Sequence, residues 1–244
     1  MNPVPKDLTL RDASGTELAA TLWDSGRPTG VVLVHGLLGR RKMREIVRVA
    51  EALVPHHDVL AIDVRGHGDS PGRFTWGREE WRQADAAARH LAGPGRTVYG
   101  VGFSYGGYHL ARATARGSPL SRLVLVGAPV DLEVLDHFPF GPKLWRHVPA
   151  ALGRGRRRMR VEWLPAGRDA ALPDEELRAV QVPALVVHGS DDWLISARHA
   201  DRYMAMLPAG KRLDIPRGLH GEYLVTSHVD ILVEAIRSFL DSRA

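Results

Sequence analysis

The residue best placed by its neighbours to do chemistry is Ser104, in the stretch Gly102-Phe103-Ser104-Tyr105-Gly106-Gly107. The apolar run Val98-Tyr99-Gly100-Val101 precedes it and a segment of helical period follows it. The pattern Gly-x-Ser-x-Gly therefore falls where a buried strand turns sharply into a helix. Such a turn pushes the serine out of the sheet edge. The helix N-terminus behind it offers free N–H groups and a favourable dipole to developing negative charge. Glycines on both sides fit this reading, because a side chain at either place would collide with the neighbouring strand or helix. The chain contains no cysteine, which removes disulfides, thiolate nucleophiles and thiolate metal sites together, so a nucleophile here is a serine.

Holding a serine in that way requires a sheet, and the pattern supplies one. Leu8-Thr9-Leu10 and residues 17–23, separated by Asp12-Ala13-Ser14-Gly15, read as a hairpin. Val31-Val32-Leu33-Val34 is a continuous apolar strand that ends in His35-Gly36-Leu37-Leu38-Gly39. A helix is expected over 41–53, with Ile46, Val49, Ala50 and Leu53 inward, followed by the strand Val59-Leu60-Ala61-Ile62. A second helix is expected over 79–91, its inner face formed by Trp81, Ala84, Ala88 and Leu91. After the serine come the strands Leu123-Val124-Leu125-Val126, Ala184-Leu185-Val186-Val187 and Arg212-Leu213-Asp214-Ile215, with a helix over 197–207 before the last. A final amphipathic helix carries Ile231, Leu232, Ala235, Ile236, Phe239 and Leu240. This alternation predicts an α/β fold with a mostly parallel, doubly wound sheet of about eight strands. It breaks over 129–183, which holds Phe138, Phe140, Trp145 and Trp163; that segment reads as an inserted cap of one to three short helices. Residues 1–128 and 184–244 then form the two parts of one core.

With 44% hydrophobic and 25% charged residues, the composition is that of a soluble globular protein. No apolar stretch approaches the ~20 residues that span a bilayer. The first residues lack the apolar core of a signal peptide, so a cytoplasmic enzyme is expected. The net charge of +5 invites a nucleic-acid reading, but the arginines are scattered except in Arg154-Gly155-Arg156-Arg157-Arg158-Met159-Arg160. That cluster reads as a solvated surface, with a phosphate-binding patch as the alternative, and no nucleic-acid partner is expected. Nothing in the sequence suggests a metal, nucleotide or flavin site, and oligomeric state leaves no signal. His67, fixed between Gly66 and Gly68, reads as a loop residue, and Asp63 as an acceptor for loop backbone.

Together these stretches resemble the α/β-hydrolase superfamily along essentially the whole chain. The matching pieces are His35-Gly36-Leu37-Leu38-Gly39, Asp63-Val64-Arg65-Gly66-His67-Gly68-Asp69-Ser70, the Ser104 turn, His188-Gly189-Ser190-Asp191-Asp192 and Gly218-Leu219-His220-Gly221. Among its members the chain looks most like short-capped carboxylesterases and monoacylglycerol-lipase-like enzymes. The resemblance implies the α/β-hydrolase fold, with the cap inserted after the sixth strand. It also implies Ser104 as nucleophile, His220 as base and Asp192 as the acid that orients the histidine, in the order Ser…Asp…His. The family spacing picks Asp192 over Asp191, which is then a loop aspartate bonded to nearby backbone N–H groups. The backbone N–H groups of Leu37 and Tyr105 would form the oxyanion hole, with Leu38 as the alternative to Leu37.

Serine at the turn, where dehalogenases and epoxide hydrolases of the superfamily carry aspartate and dienelactone hydrolases cysteine, points to acyl transfer. The expected substrate is a small-molecule carboxylic ester, cleaved through an acyl-enzyme without a cofactor. The basic cap leans towards an amphiphilic or anionic acyl group. A substrate with a free amine would instead want carboxylates there, and Glu133, Asp136 and Glu162 are the candidates. Amide, thioester or C–C bond hydrolysis on the same residues stays open, as does a ligand-binding protein with little turnover.

Overall fold

Each central strand is apolar at consecutive positions, so successive side chains can enter two different cores. The computed structural model, which describes residues 3–131, 159–162 and 171–242, uses both. In β3 (Thr29–Val34) Val31 and Leu33 enter one core while Val32 and Val34 enter the other. The same alternation divides Val59 and Ala61 from Leu60 and Ile62 in β4 (Asp58–Ile62), and Val124 and Val126 from Leu123 and Leu125 in β6 (Leu120–Val126).

Among the described residues the sheet has eight strands, completed by β1 (Lys6–Arg11), β2 (Glu17–Trp23), β5 (Thr97–Phe103), β7 (Ala184–Gly189) and β8 (Gly210–Ile215), in the order β1-β2-β4-β3-β5-β6-β7-β8. β2 runs antiparallel to both β1 and β4, and every other pairing is parallel. Helices α1 (Arg44–Leu53) and α7 (Val229–Asp241) cover one face. On the other lie α2 (Trp81–Leu91), α3 (Tyr105–Ala115), α4 (Asp174–Ala179) and α5 (Ala197–Met206). A 3₁₀ turn at Gly221–Tyr223 and the single-turn α6 (Leu224–Ser227) intervene before α7. Among the described residues no helix is long and apolar enough to cross a membrane.

Two of the expected helices start late, each for a physical reason. The α1 helix begins at Arg44 rather than 41, because the Arg41 N–H is bonded to Asp63 Oδ1 at 2.6 Å and its guanidinium pairs with the same carboxylate. Asp63 also accepts the Asp69 N–H at 3.0 Å, so it organises loop backbone as expected and holds a buried ion pair besides. The α2 helix begins at Trp81 rather than 79, because residues before it wrap the buried Glu80 carboxylate. That carboxylate accepts N–H bonds from Thr75 at 2.6 Å and Gly77 at 2.8 Å. Trp81 is only half-buried, its ring lying under the Arg116 guanidinium at 4.6 Å. Ile231, expected on the inner stripe of α7, is 51% exposed; Leu232, Ile236, Phe239 and Leu240 fill the core without it.

Between β6 and β7 the structure describes α4 and a bridge from Val161 to Phe74. The Arg160 guanidinium there donates to the Ser70 carbonyl, and Glu162 pairs with Arg78. Phe138, Phe140, Trp145, Trp163, Glu133, Asp136 and the arginines at 154 and 156–158 lie outside the described residues.

Candidate active site

The chain moves from β3 to β4 on one side and then to β5 on the other, so the loops leaving β3 and β5 diverge above the sheet. In open α/β sheets a crevice forms at such a switch. Ser104 leaves β5 into α3 with φ +49° and ψ −123°, a conformation that an L side chain rarely adopts. Three contacts force it. The Ser104 N–H is spent on the Val126 carbonyl at 2.8 Å. A Cβ on Gly106 would stand 2.2 Å from the Val34 carbonyl oxygen, and one on Gly102 would stand 2.4 Å from the Gly107 nitrogen. The glycines are thus where backbone meets backbone, as the sequence implied.

Ser104, His220 and Asp192 meet although they come from three loops. Ser104 Oγ lies 2.9 Å from His220 Nε2, and His220 Nδ1 lies 2.8 Å from Asp192 Oδ2. The other Asp192 oxygen accepts the N–H groups of Leu194 at 3.0 Å and Ile195 at 2.8 Å, which fixes the carboxylate's rotation. Burial alone would raise the Asp192 pKa. The hydrogen bond and charge of His220, with those two N–H bonds, outweigh it and hold the group below the ordinary aspartate value, so it is ionised at neutral pH. An ionised Asp192 selects the His220 tautomer with the proton on Nδ1, leaving Nε2 to face the serine hydroxyl.

Asp191 points away: it is exposed, and its carboxylate accepts the Ser190 hydroxyl at 3.0 Å rather than the backbone N–H groups expected of it. His67 bonds to none of these three residues; its Nδ1 faces the Arg65 carbonyl at 3.2 Å. It is buried between His35 and Phe74, each 5.1 Å away by ring centroid, and desolvation pushes its pKa down to about 3.

The two expected anion donors are the residues that follow Ser104 and Gly36, and a Cβ added to Gly36 would stand 2.9 Å from Ser104 Cβ. Tyr105 is the first residue of α3, where N–H groups have no partner within the helix. The loop after β3 is held by residues whose roles the sequence did not announce. The Gly36 carbonyl accepts His35 Nδ1–H at 2.7 Å and the Gly39 N–H at 3.0 Å. Because the peptide is planar and trans, fixing that carbonyl turns the Leu37 N–H the opposite way. Leu38 takes a positive φ of 66° to complete the turn. On the other side of Gly36, its own N–H donates to Glu222 Oε1 at 2.6 Å. Glu222 was missed because its partner lies 186 positions away. Among the described residues no group of three or more histidine, aspartate or glutamate side chains is arranged to hold a metal ion.

Comparison with known proteins agrees with this architecture. Residues 31–234 match the alpha/beta hydrolase family, and the chain belongs to it. A non-heme haloperoxidase of Rhodococcus erythropolis is 27% identical over 277 residues, covering 94% of this chain and 98% of that protein. Esterase YbfF of Escherichia coli is 25% identical over 258 residues, 91% of this chain and 97% of that one. The solved structure of the Pyrococcus furiosus esterase Pf2001 superposes with a TM-score of 0.76 at 18% identity, over 97% of this chain and 91% of that one.

Proposed function

We propose that the protein is a serine hydrolase of carboxylic esters that works through an acyl-enzyme. The observation that carries the reading is the continuous bond path Ser104–His220–Asp192, at 2.9 and 2.8 Å, with the Asp192 carboxylate locked at its other oxygen. In this reading Ser104 Oγ attacks the ester carbonyl carbon while His220 Nε2 takes the hydroxyl proton. The carbonyl oxygen becomes an oxyanion held by the N–H groups of Leu37 and Tyr105. Collapse expels the alcohol, which receives the proton from His220, and water repeats the sequence on the acyl-serine. Asp192 stays ionised and stabilises the imidazolium in both halves.

The esterase named among the sequence relatives supports ester over amide, thioester or C–C substrates on the same residues. Residues 129–183 are proposed as the cap that shapes the acyl pocket over a core formed by 1–128 and 184–244. The test is hydrolysis of p-nitrophenyl esters from acetate to palmitate, wild type beside Ser104→Ala. Turnover that needs Ser104 supports the reading, and its chain-length optimum sizes the pocket. Fluorophosphonate labelling of Ser104 without turnover of any ester would move the assignment to an amide, thioester or C–C bond.

A further inference from the structure

The Glu222 carboxylate stands beside the serine. A Cβ built on Gly36 would lie 2.9 Å from Glu222 Oε1, 3.2 Å from Oε2 and 2.9 Å from Ser104 Cβ. Carboxylate and nucleophile therefore flank the same empty point, and only a glycine leaves it open. Glu222 sits two residues after His220, in the 3₁₀ turn. Its bond to the Gly36 N–H joins the loop that carries the base to the loop that carries the Leu37 donor. Among the described residues the hydrogen bond given to the Glu222 carboxylate comes from a neutral backbone amide, that of Gly36. That side chain serves none of the proposed chemical steps. Two consequences follow from its position. The Gly36 N–H is occupied and cannot bind an oxyanion, which leaves that task to the next amide. An anionic group next to the scissile carbonyl would meet a like charge.

We infer that Glu222 is a positioning and specificity residue: it clamps the Gly36 amide so that the Leu37 N–H faces Ser104, and its charge selects against acyl groups that carry an anion beside the reacting carbonyl. The inference rests on the esterase reading and deepens it. It runs against the anionic leaning drawn from the basic segment 154–160, because a carboxylate stands beside the serine.

The experiment compares wild type, Glu222→Gln and Glu222→Ala on methyl butyrate and monomethyl succinate, which differ by a carboxylate on the acyl chain. Folding of each variant is checked by thermal unfolding. Glu222→Ala should lower kcat on methyl butyrate about 10- to 100-fold, the cost of a misplaced catalytic group, with KM moving far less. Glu222→Gln keeps a carbonyl acceptor for the Gly36 N–H and should restore most of that kcat. It should also raise the preference for monomethyl succinate over methyl butyrate by about tenfold, the effect of removing roughly 1.4 kcal/mol of repulsion. An alanine variant with wild-type kcat, or a glutamine variant as slow as alanine, would overturn the positioning role. An unchanged preference between the two esters in Glu222→Gln would overturn the specificity role. Ser104→Ala, run beside them, separates the two levels: turnover that survives it sinks the esterase reading itself. If wild type turns over neither ester, the rate of fluorophosphonate labelling at Ser104 carries the comparison, slower in alanine and recovered in glutamine.

Discussion

The two loops that face each other across the site are held in place by opposite means. At the Ser104 turn the backbone is forced by exclusion: glycines stand where any side chain would strike the backbone of a neighbouring strand or helix, and Ser104, midway between Gly102 and Gly106, is pushed to φ +49°. At the Gly36 turn it is held by attraction: His35 and Gly39 fix the Gly36 carbonyl, and Glu222 fixes its N–H. Steric exclusion tolerates no replacement but is indifferent to charge and pH. A hydrogen-bonded loop yields by degrees and responds to both. The difference predicts that lesions at the glycines of the first loop act on folding, while lesions in the second are graded in turnover.

The largest effect belongs to the reacting groups. Ser104→Ala and His220→Ala should each cut ester turnover on the order of 10⁴-fold or more with folding intact. Asp192→Asn should cost about 10³- to 10⁴-fold by favouring the wrong histidine tautomer, whereas Asp191→Asn should stay within about twofold, its partner being an exposed serine. Equal losses in the two asparagine variants would contradict the geometry described for Asp192. Gly106→Ala should fail by folding rather than chemistry, losing about 3 kcal/mol or more in urea unfolding as the strand carbonyl is displaced. His35→Ala should keep its fold and lose only about tenfold in kcat, because Gly39 and Glu222 still hold parts of the loop. A folding collapse in His35→Ala, or a well-folded Gly106→Ala, would erase the contrast between the loops.

At neutral pH the contrast has a counterpart that is silent and appears only in acid. His67 is buried and neutral, with a folded pKa of about 3 against 6.5 for the free side chain. Between those values the unfolded chain binds a proton that the native state refuses. Stability is therefore full above about pH 6.5 and falls as pH drops towards 3, by up to about 1.4 kcal/mol per pH unit for this group. His109, buried and also shifted down by desolvation, acts in the same direction. Urea unfolding of wild type and His67→Phe from pH 7 to pH 4 should show the shallower slope in the variant.

What sequence could read follows the same division. Exclusion leaves a local record, since Gly102, Ser104 and Gly106 are neighbours and their spacing states the turn. The strands were legible because burial on both faces demands continuous apolar residues. The resemblance to the family singled out Asp192 over Asp191; in the fold the first bonds His220 and the second Ser190. Attraction left no such record. Glu222 is one charged residue on a surface turn until the fold brings Gly36 to it, and His35 looks like part of a glycine loop until its ring is seen to grip the next carbonyl. The late starts of α1 and α2 have the same origin, because Asp63 and Glu80 draw the preceding backbone away from helical bonding. Ile231 fits the apolar period of α7, yet period alone does not tell which edge of the stripe clears the sheet.

The positive φ of Ser104 also bears on how such a protein could lose its activity. Alanine at 104 would keep the strain and lose the bond to His220, whereas glycine adopts that conformation freely. Ser104→Gly should therefore be inactive and yet more stable than Ser104→Ala by about 1 kcal/mol. Selection for folding alone would not defend the serine here. In the proposed function only its chemistry keeps it in a place the backbone would sooner give to glycine, so an inactive descendant would be expected to arise through that single change and to remain well folded.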